Sequence, residues 1–165
     1  MLFRSLGDIN ILVSFALLPA LGTFFVAVGA YDPQSLLMIL PIGLITVAIL
    51  HANNTRDVKT DLQAGLGTIT TSVSLMNAKA IYTFEIFAPY ALALLYVVLL
   101  GQPWTLLAVV LTLPLALRNV RTMIQAEDDL PYRGIQRLDQ TTAQLQMAFG
   151  LLYALGFFLG SWLGV

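Results

Sequence analysis

In a chain of 165 residues that is 58% hydrophobic and only 10% charged, the apolar surplus far exceeds what a soluble core can hide, because soluble domains carry about a quarter charged residues. The composition describes a membrane protein with no separate soluble domain. A net charge of −1 gives no footing for nucleic-acid binding, and the absence of cysteine excludes a disulfide framework or a thiolate metal site within this sequence.

Polar punctuation divides the chain into five apolar segments, at 9–30, 36–52, 80–100, 104–118 and 143–163. Each is close to the length needed to cross ~30 Å of hydrocarbon, the fourth only with help from its flanks. The first is too long in its apolar part and lacks a small-residue cleavage site, so it reads as a span and not as a removable signal peptide. No segment alternates as a barrel strand would, and backbone groups in lipid must be satisfied internally, so the expected fold is an all-α, multi-spanning transmembrane helix bundle of five helices. Pro19, Pro41, Pro89 and Pro114 fall inside the first four segments and predict kinks with carbonyls freed from the helical ladder. Whether those kinks surround a cavity or are plain packing irregularities stays open at this point.

The eight basic residues follow the segment pattern. Arg4 precedes the first segment, Arg56, Lys59 and Lys79 lie between the second and third, and Arg118, Arg121, Arg133 and Arg137 lie between the fourth and fifth. The connections at 31–35 and 101–103 contain none. The positive-inside rule then puts the N-terminus in the cytoplasm and the C-terminus on the far side.

The second segment runs directly into the polar stretch His51-Ala52-Asn53-Asn54-Thr55-Arg56-Asp57-Val58-Lys59-Thr60-Asp61, on the side expected to be cytoplasmic. If the helix continues, Asn53, Asp57 and Asp61 recur at i, i+4 and i+8 on one face. Two carboxylates so spaced, turned toward a cavity, suit Mg2+, which takes hard oxygen ligands and commonly pairs one or two carboxylates with substrate phosphates. Arg56 and Lys59 would face the same phosphates, one as a planar fork and the other as a point charge. The spacing alone equally describes a solvated helix end.

The run Asn53-Asn54-Thr55-Arg56-Asp57-x-x-x-Asp61-x-x-x-Gly65 resembles the second aspartate-rich motif of the UbiA superfamily of intramembrane prenyltransferases. Within that superfamily it most resembles the menaquinone branch, the 1,4-dihydroxy-2-naphthoate polyprenyltransferases and their animal vitamin K2 relatives. Gly7-Asp8 and Pro19-x-x-Gly22-Thr23 ahead of the motif, Ala48-Ile49-Leu50-His51 leading into it, and Thr141-x-Ala143-Gln144-Leu145 with Phe149-Gly150-Leu151-Leu152-Tyr153 beyond it extend the resemblance over nearly the whole chain. It implies transfer of a polyprenyl group from polyprenyl diphosphate to an aromatic acceptor, with Mg2+ assisting departure of the diphosphate. By similarity Asp57 and Asp61 would be the metal ligands and catalytic carboxylates. Asn53 and Asn54 would support the metal–diphosphate site, Arg56 would hold phosphate oxygens, and Gln144 would be a further site residue.

Family members have nine membrane helices and two aspartate-rich motifs, whereas this chain shows five segments and only the second motif. The resemblance therefore implies a single prenyltransferase-like region corresponding to the C-terminal half of the fold. A fragment, a half-enzyme working as a homo-oligomer or with a complementary N-terminal half, and a non-catalytic protein that binds a prenyl or quinone lipid would each account for that extent. Leu62-Gln63 also departs from the family, where a basic residue often follows the second aspartate. Hydroxybenzoate or a chlorin is the alternative acceptor.

The remaining polar residues carry weaker signals. His51, alone at a helix end, reads as a hydrogen-bonded boundary residue. Glu85 reads as a side chain reaching the interface. Gln144 and Gln146 enter the last segment, where helix-to-helix hydrogen bonding is the simpler role. Glu127-Asp128-Asp129 with Arg133 and Arg137 reads as a solvated loop in preference to a lid. Most Tyr and Phe residues are expected to pack or face lipid, and none is assigned to a tunnel.

Overall fold

The computed structural model describes residues 10–127 and 131–164; Arg4, Gly7, Asp8, Asp128 and Asp129 lie outside the described residues. Six helices follow in order, with no strand among the described residues. Helix α1 covers Leu12–Val28, π-helical over Leu12–Leu17 and α-helical over Leu18–Val28. Helix α2 is Pro33–Gln63, α3 the single turn Ile69–Ser72, and α4 Leu75–Leu100. Helix α5 is Trp104–Ile124, a 3-10 helix over Trp104–Thr112 that continues as α-helix over Leu113–Ile124, and α6 is Leu138–Leu163. By length and apolar character α2, α4, α5 and α6 can each cross a membrane, while α1 is shorter. The expected helical membrane bundle is what forms.

Helix ends differ from the apolar boundaries because polar turns at one end of the bundle are helical too. Helix α4 starts at Leu75, where the Ser74 hydroxyl accepts from the Asn77 amide at 3.3 Å and satisfies one of the donors left open at a helix start. The fourth apolar segment gains its reach from geometry. Nine residues of 3-10 helix at ~2.0 Å rise and twelve of α-helix at ~1.5 Å give roughly 36 Å, enough for the hydrocarbon. The change of helix type falls at Pro114, in the first turn of the α-helical part, where a missing N–H costs least.

Pro41 shows what becomes of a freed carbonyl. Lacking an N–H, it leaves the oxygen of Leu37, four residues back, without its helical donor. The Tyr96 hydroxyl of α4 donates to that oxygen at 2.6 Å, and the Tyr153 hydroxyl of α6 donates to the Met38 oxygen at 3.0 Å. Two neighbouring helices are therefore keyed to the irregular turn of α2.

Helix α2 is the centre of the bundle, touching α1, α4 and α6, with α5 packed on α6 and α4. Gly43 receives Leu12 and Ala16 of α1. Gly156 and Gly160 of α6, a small-x-x-x-small pair, let the start of α5 lie directly on the helix. A Cβ at Gly156 would sit 2.9 Å from the Leu106 Cα, and the Thr105 hydroxyl donates to the Gly156 oxygen at 2.5 Å. Two apolar clusters fill the interior, one around Ala48, Ala52, Tyr82, Ile86 and Met123 and one around Ile45, Leu106, Val109 and Phe149. Outward positions carry large apolar side chains such as Val26, Val98, Leu111 and Trp162, at least two-thirds exposed, as a lipid-facing surface requires and water would not permit.

Candidate functional site

Helix α2 has 31 residues, roughly 46 Å of helix against ~30 Å of hydrocarbon, so its last turns stand beyond the apolar band. Its back face, His51, Ala52, Thr55 and Val58, is buried, which leaves Asn53, Asp57 and Asp61 half-buried along the opposite side. The helix stops directly after them. Gly65, at φ 66, takes the left-handed conformation that a side chain would resist. Its amide donates to the Leu62 oxygen at 3.2 Å and the Leu66 amide to the Asp61 oxygen at 2.8 Å, the paired bonds of a Schellman ending. The glycine of the sequence motif is thus the stop signal of the helix that carries the carboxylates.

Arg56 organises the site. Its Nε donates to Asp57 Oδ1 at 2.8 Å and one terminal nitrogen to Asp57 Oδ2 at 2.9 Å, a two-pronged pairing. That same nitrogen donates to Asn53 Oδ1 in a short contact. The other terminal nitrogen donates to Asp139 Oδ2 of α6 at 2.7 Å. The guanidinium therefore lies across two carboxylates and an amide from residues 83 apart, and the clamp does not include Asp61. Three carboxylates, Asp57, Asp61 and Asp139, against one guanidinium leave the cluster a formal charge of −2, which favours a cation. No group of three or more His, Asp or Glu side chains among the described residues could hold a metal ion unaided. That donor set fits an ion which brings phosphate and water as its other ligands.

An open-sided groove leads away from this cluster. Its upper part, about 280 Å³, is lined by Ile11, Phe15, Thr46, Ile49, Asn53 and Asp139. Phe15 and Thr46 also line the larger part, about 800 Å³, which passes Pro19, Met38, Tyr153 and Phe157 between α1, α2 and α6. From Asn53 to Ser35, which lines its far end, is 18 residues of α2, roughly 27 Å. Its lining is mostly apolar, with polar side chains such as Asp32, Gln34 and Ser35 toward the far end and the Gln146 amide donating to the Thr46 hydroxyl at 2.5 Å nearer the cluster.

The structure brings together Asn53, Arg56 and Asp57, with Asp61 one turn beyond Asp57 on the same face. Asn54 is half-buried beside them. Lys59 is exposed two residues after Asp57, a spacing that turns it to another face. Gln144 is exposed as well, and it is Gln146 that enters the groove. The helix-to-helix hydrogen bond expected of these glutamines belongs to Gln146. Glu127 is exposed.

Two expectations need correction. Glu85 does not reach an interface: it is 5% exposed, with its Oε2 3.5 Å from His51 Nδ1. His51, 1% exposed, is an interior residue and not a boundary one, because the polar end of α2 is covered by α4 at this level. Asp139 escaped the sequence reading because the last apolar run opens at 143, whereas α6 begins a turn earlier, at Leu138. The available signal was the spacing Asp139, Gln146, Tyr153, seven residues apart, which shares one helix face.

Comparison with known proteins agrees with this architecture. The pattern of the UbiA prenyltransferase family matches residues 3–133. The UbiA prenyltransferase domain-containing protein 1 of Gallus gallus is 33% identical over 161 residues, covering 95% of this chain and 44% of the relative. That of Homo sapiens is 31% identical over 158 residues, with the same two shares, and the Drosophila melanogaster homolog is 33% identical over 157 residues, covering 92% and 40%. The chain spans less than half the length of these curated relatives. Matched over most of its length by this one family pattern and at about a third identity by these relatives, the chain belongs to the UbiA prenyltransferase family.

Proposed function

We propose that the chain takes part in Mg2+-dependent transfer of a polyprenyl group from polyprenyl diphosphate to an aromatic acceptor, 1,4-dihydroxy-2-naphthoate in menaquinone biosynthesis. The observation that carries the proposal is that Asn53 and Asp139 line a cavity of about 280 Å³ which adjoins, at Phe15 and Thr46, a larger one of about 800 Å³, a cation-attracting head beside a mostly apolar body. Asp57 and Asp61 are the proposed metal ligands, supported by Asn53 and Asn54. Arg56 is already oriented at that face and is the proposed phosphate contact. Lys59 and Gln144 remain as outer contacts that would meet substrate from the exposed side.

Bound Mg2+ would supply charge neutralisation on the leaving diphosphate, the role that raises rate only when the charge is better matched in the transition state than in the ground state. The residues of this chain supply the rest. Asn53 steadies the Arg56 fork, so the guanidinium is in place as charge develops on the leaving group. The groove holds the prenyl chain with its reactive end toward Asn53, and its apolar walls keep water from the electron-poor carbon. We further infer that the acidic end faces the cytoplasm, from the run of basic residues at that end, and that the chain provides one half of the site, its complement coming from a second chain or further residues. Substitution of Asp57→Asn or Asp61→Asn in the assembled enzyme is expected to lower Mg2+-dependent prenyl transfer about 10²–10³-fold. Unchanged turnover in both variants would contradict the assignment.

A further inference from the structure

Taking the proposed metal–diphosphate site as given, we propose that Asp139 is a positioning residue for it: by holding the Arg56 guanidinium from α6, it frees Asp57 to exchange from arginine to a divalent cation. In the structure both Asp57 oxygens are engaged by Arg56, at 2.8 and 2.9 Å, so a cation that takes Asp57 must draw that carboxylate out of a two-pronged pair. Arg56 then needs another anchor. Asp139 Oδ2 is that anchor, at 2.7 Å from the terminal nitrogen that does not touch Asp57, so the two carboxylates grip different N–H groups and one can leave without the other. Asn53 steadies the opposite edge. The second Asp139 oxygen is buried without a hydrogen-bond partner, and Asp139 lines the upper groove with Asn53. The carboxylate is thus held at the site on one oxygen only, with its charge close to the place where a cation would sit.

Neutralising Asp139 should act in one direction. Arg56 would lean harder on Asp57, and the cluster would lose one negative charge, so both effects weaken cation binding. The pair also joins the end of α2 to the start of α6, and a strut with no further role would change unfolding and leave ion affinity alone.

The test is a Mn2+ titration followed by electron paramagnetic resonance, with the full chain in phosphatidylcholine nanodiscs and inorganic pyrophosphate present. The unsubstituted chain is expected to bind Mn2+ saturably. Asp139→Asn is expected to weaken that binding about tenfold, the size of loss usual when a group that orients a metal ligand is removed, with Asp139→Glu recovering most of it. In an Arg56→Gln background, Asp139→Asn should add little, because its effect runs through the arginine. Asp139→Ser replaces Asp139→Asn if the latter does not fold. Wild-type affinity in the Asp139 variant, whatever its unfolding temperature, would overturn the proposal and leave the metal–diphosphate site standing. A full tenfold loss that persists without Arg56 would overturn it too, by showing that Asp139 meets the ion directly. No binding by the unsubstituted chain would overturn the reading that this half of the site holds the ion, and this inference with it.

Discussion

His51 and Glu85 place two ionisable side chains inside a bundle that offers them very little water, and neither lines the groove. Such residues within membrane helices are costly and are kept by partners. The His51 Nδ1 to Glu85 Oε2 approach of 3.5 Å ties α2 to α4 just below the acidic face, where a shift of α2 would misplace Asn53 and Arg56. We expect His51→Leu and Glu85→Leu each to destabilise the bundle, and the double variant to lose less than the sum, with a coupling of about 1 kcal/mol. Unfolding of the three variants in detergent measures that coupling, and strictly additive losses would mean that the two residues are independent. The pair was illegible in the sequence because His51 and Glu85 lie 34 positions apart, and only helix packing puts them level. The shared face of Asp57 and Asp61, by contrast, was legible, since one uninterrupted helix fixes their spacing and Gly65 marks its end. Arg56 was legible as a charge at the site, but its pairing with Asp139 needed the α2–α6 contact.

At the level of elements, irregular backbone is where the helices lock together. Tyr96→Phe removes the donor that satisfies the Leu37 oxygen and is expected to cost about 1–3 kcal/mol, the penalty for a buried carbonyl left unpaired. In a Pro41→Ala background the same change should cost little, because the restored amide of residue 41 returns the helical hydrogen bond. Thermal unfolding of the four proteins decides this, and an equal cost in both backgrounds would show that Tyr96 stabilises by packing alone. Pro41 could be read from the sequence as a kink, but not which side chain would answer it, since the answer comes from a helix some sixty residues later. The close crossing of α5 on Gly156 was hidden likewise: a glycine in an apolar run is a possible contact, and only the partner strip, Thr105 and Leu106, makes it one. The five apolar rods themselves were readable because length and hydropathy decide them. The polar start of α6, ahead of the apolar run at 143, was not, because a helix leaving the bilayer changes composition without changing conformation.

For the whole molecule, the antiparallel order of the helices gathers Arg56, Lys79, Arg118 and Arg121 at one end, where Lys79 donates to the Ala126 oxygen at 2.7 Å and Arg56 meets Asp139. That end is the one proposed to face the cytoplasm. The chain contains no cysteine, so single cysteines report topology without background: Lys59→Cys should react with a membrane-impermeant maleimide only from the cytoplasmic side, and Tyr31→Cys only from the other. The reverse pattern would invert the proposed orientation. In the proposed function, groove and acidic head together receive an apolar chain ending in an anion. The most direct test is equilibrium binding of radiolabelled polyprenyl diphosphate to the chain in nanodiscs, with and without Mg2+. Saturable binding that requires Mg2+ and is lost in Asp57→Asn and in Asp61→Asn is the expected result. Binding of equal strength without the ion and in both variants would mean that the groove holds prenyl lipid while the acidic helix end takes no part.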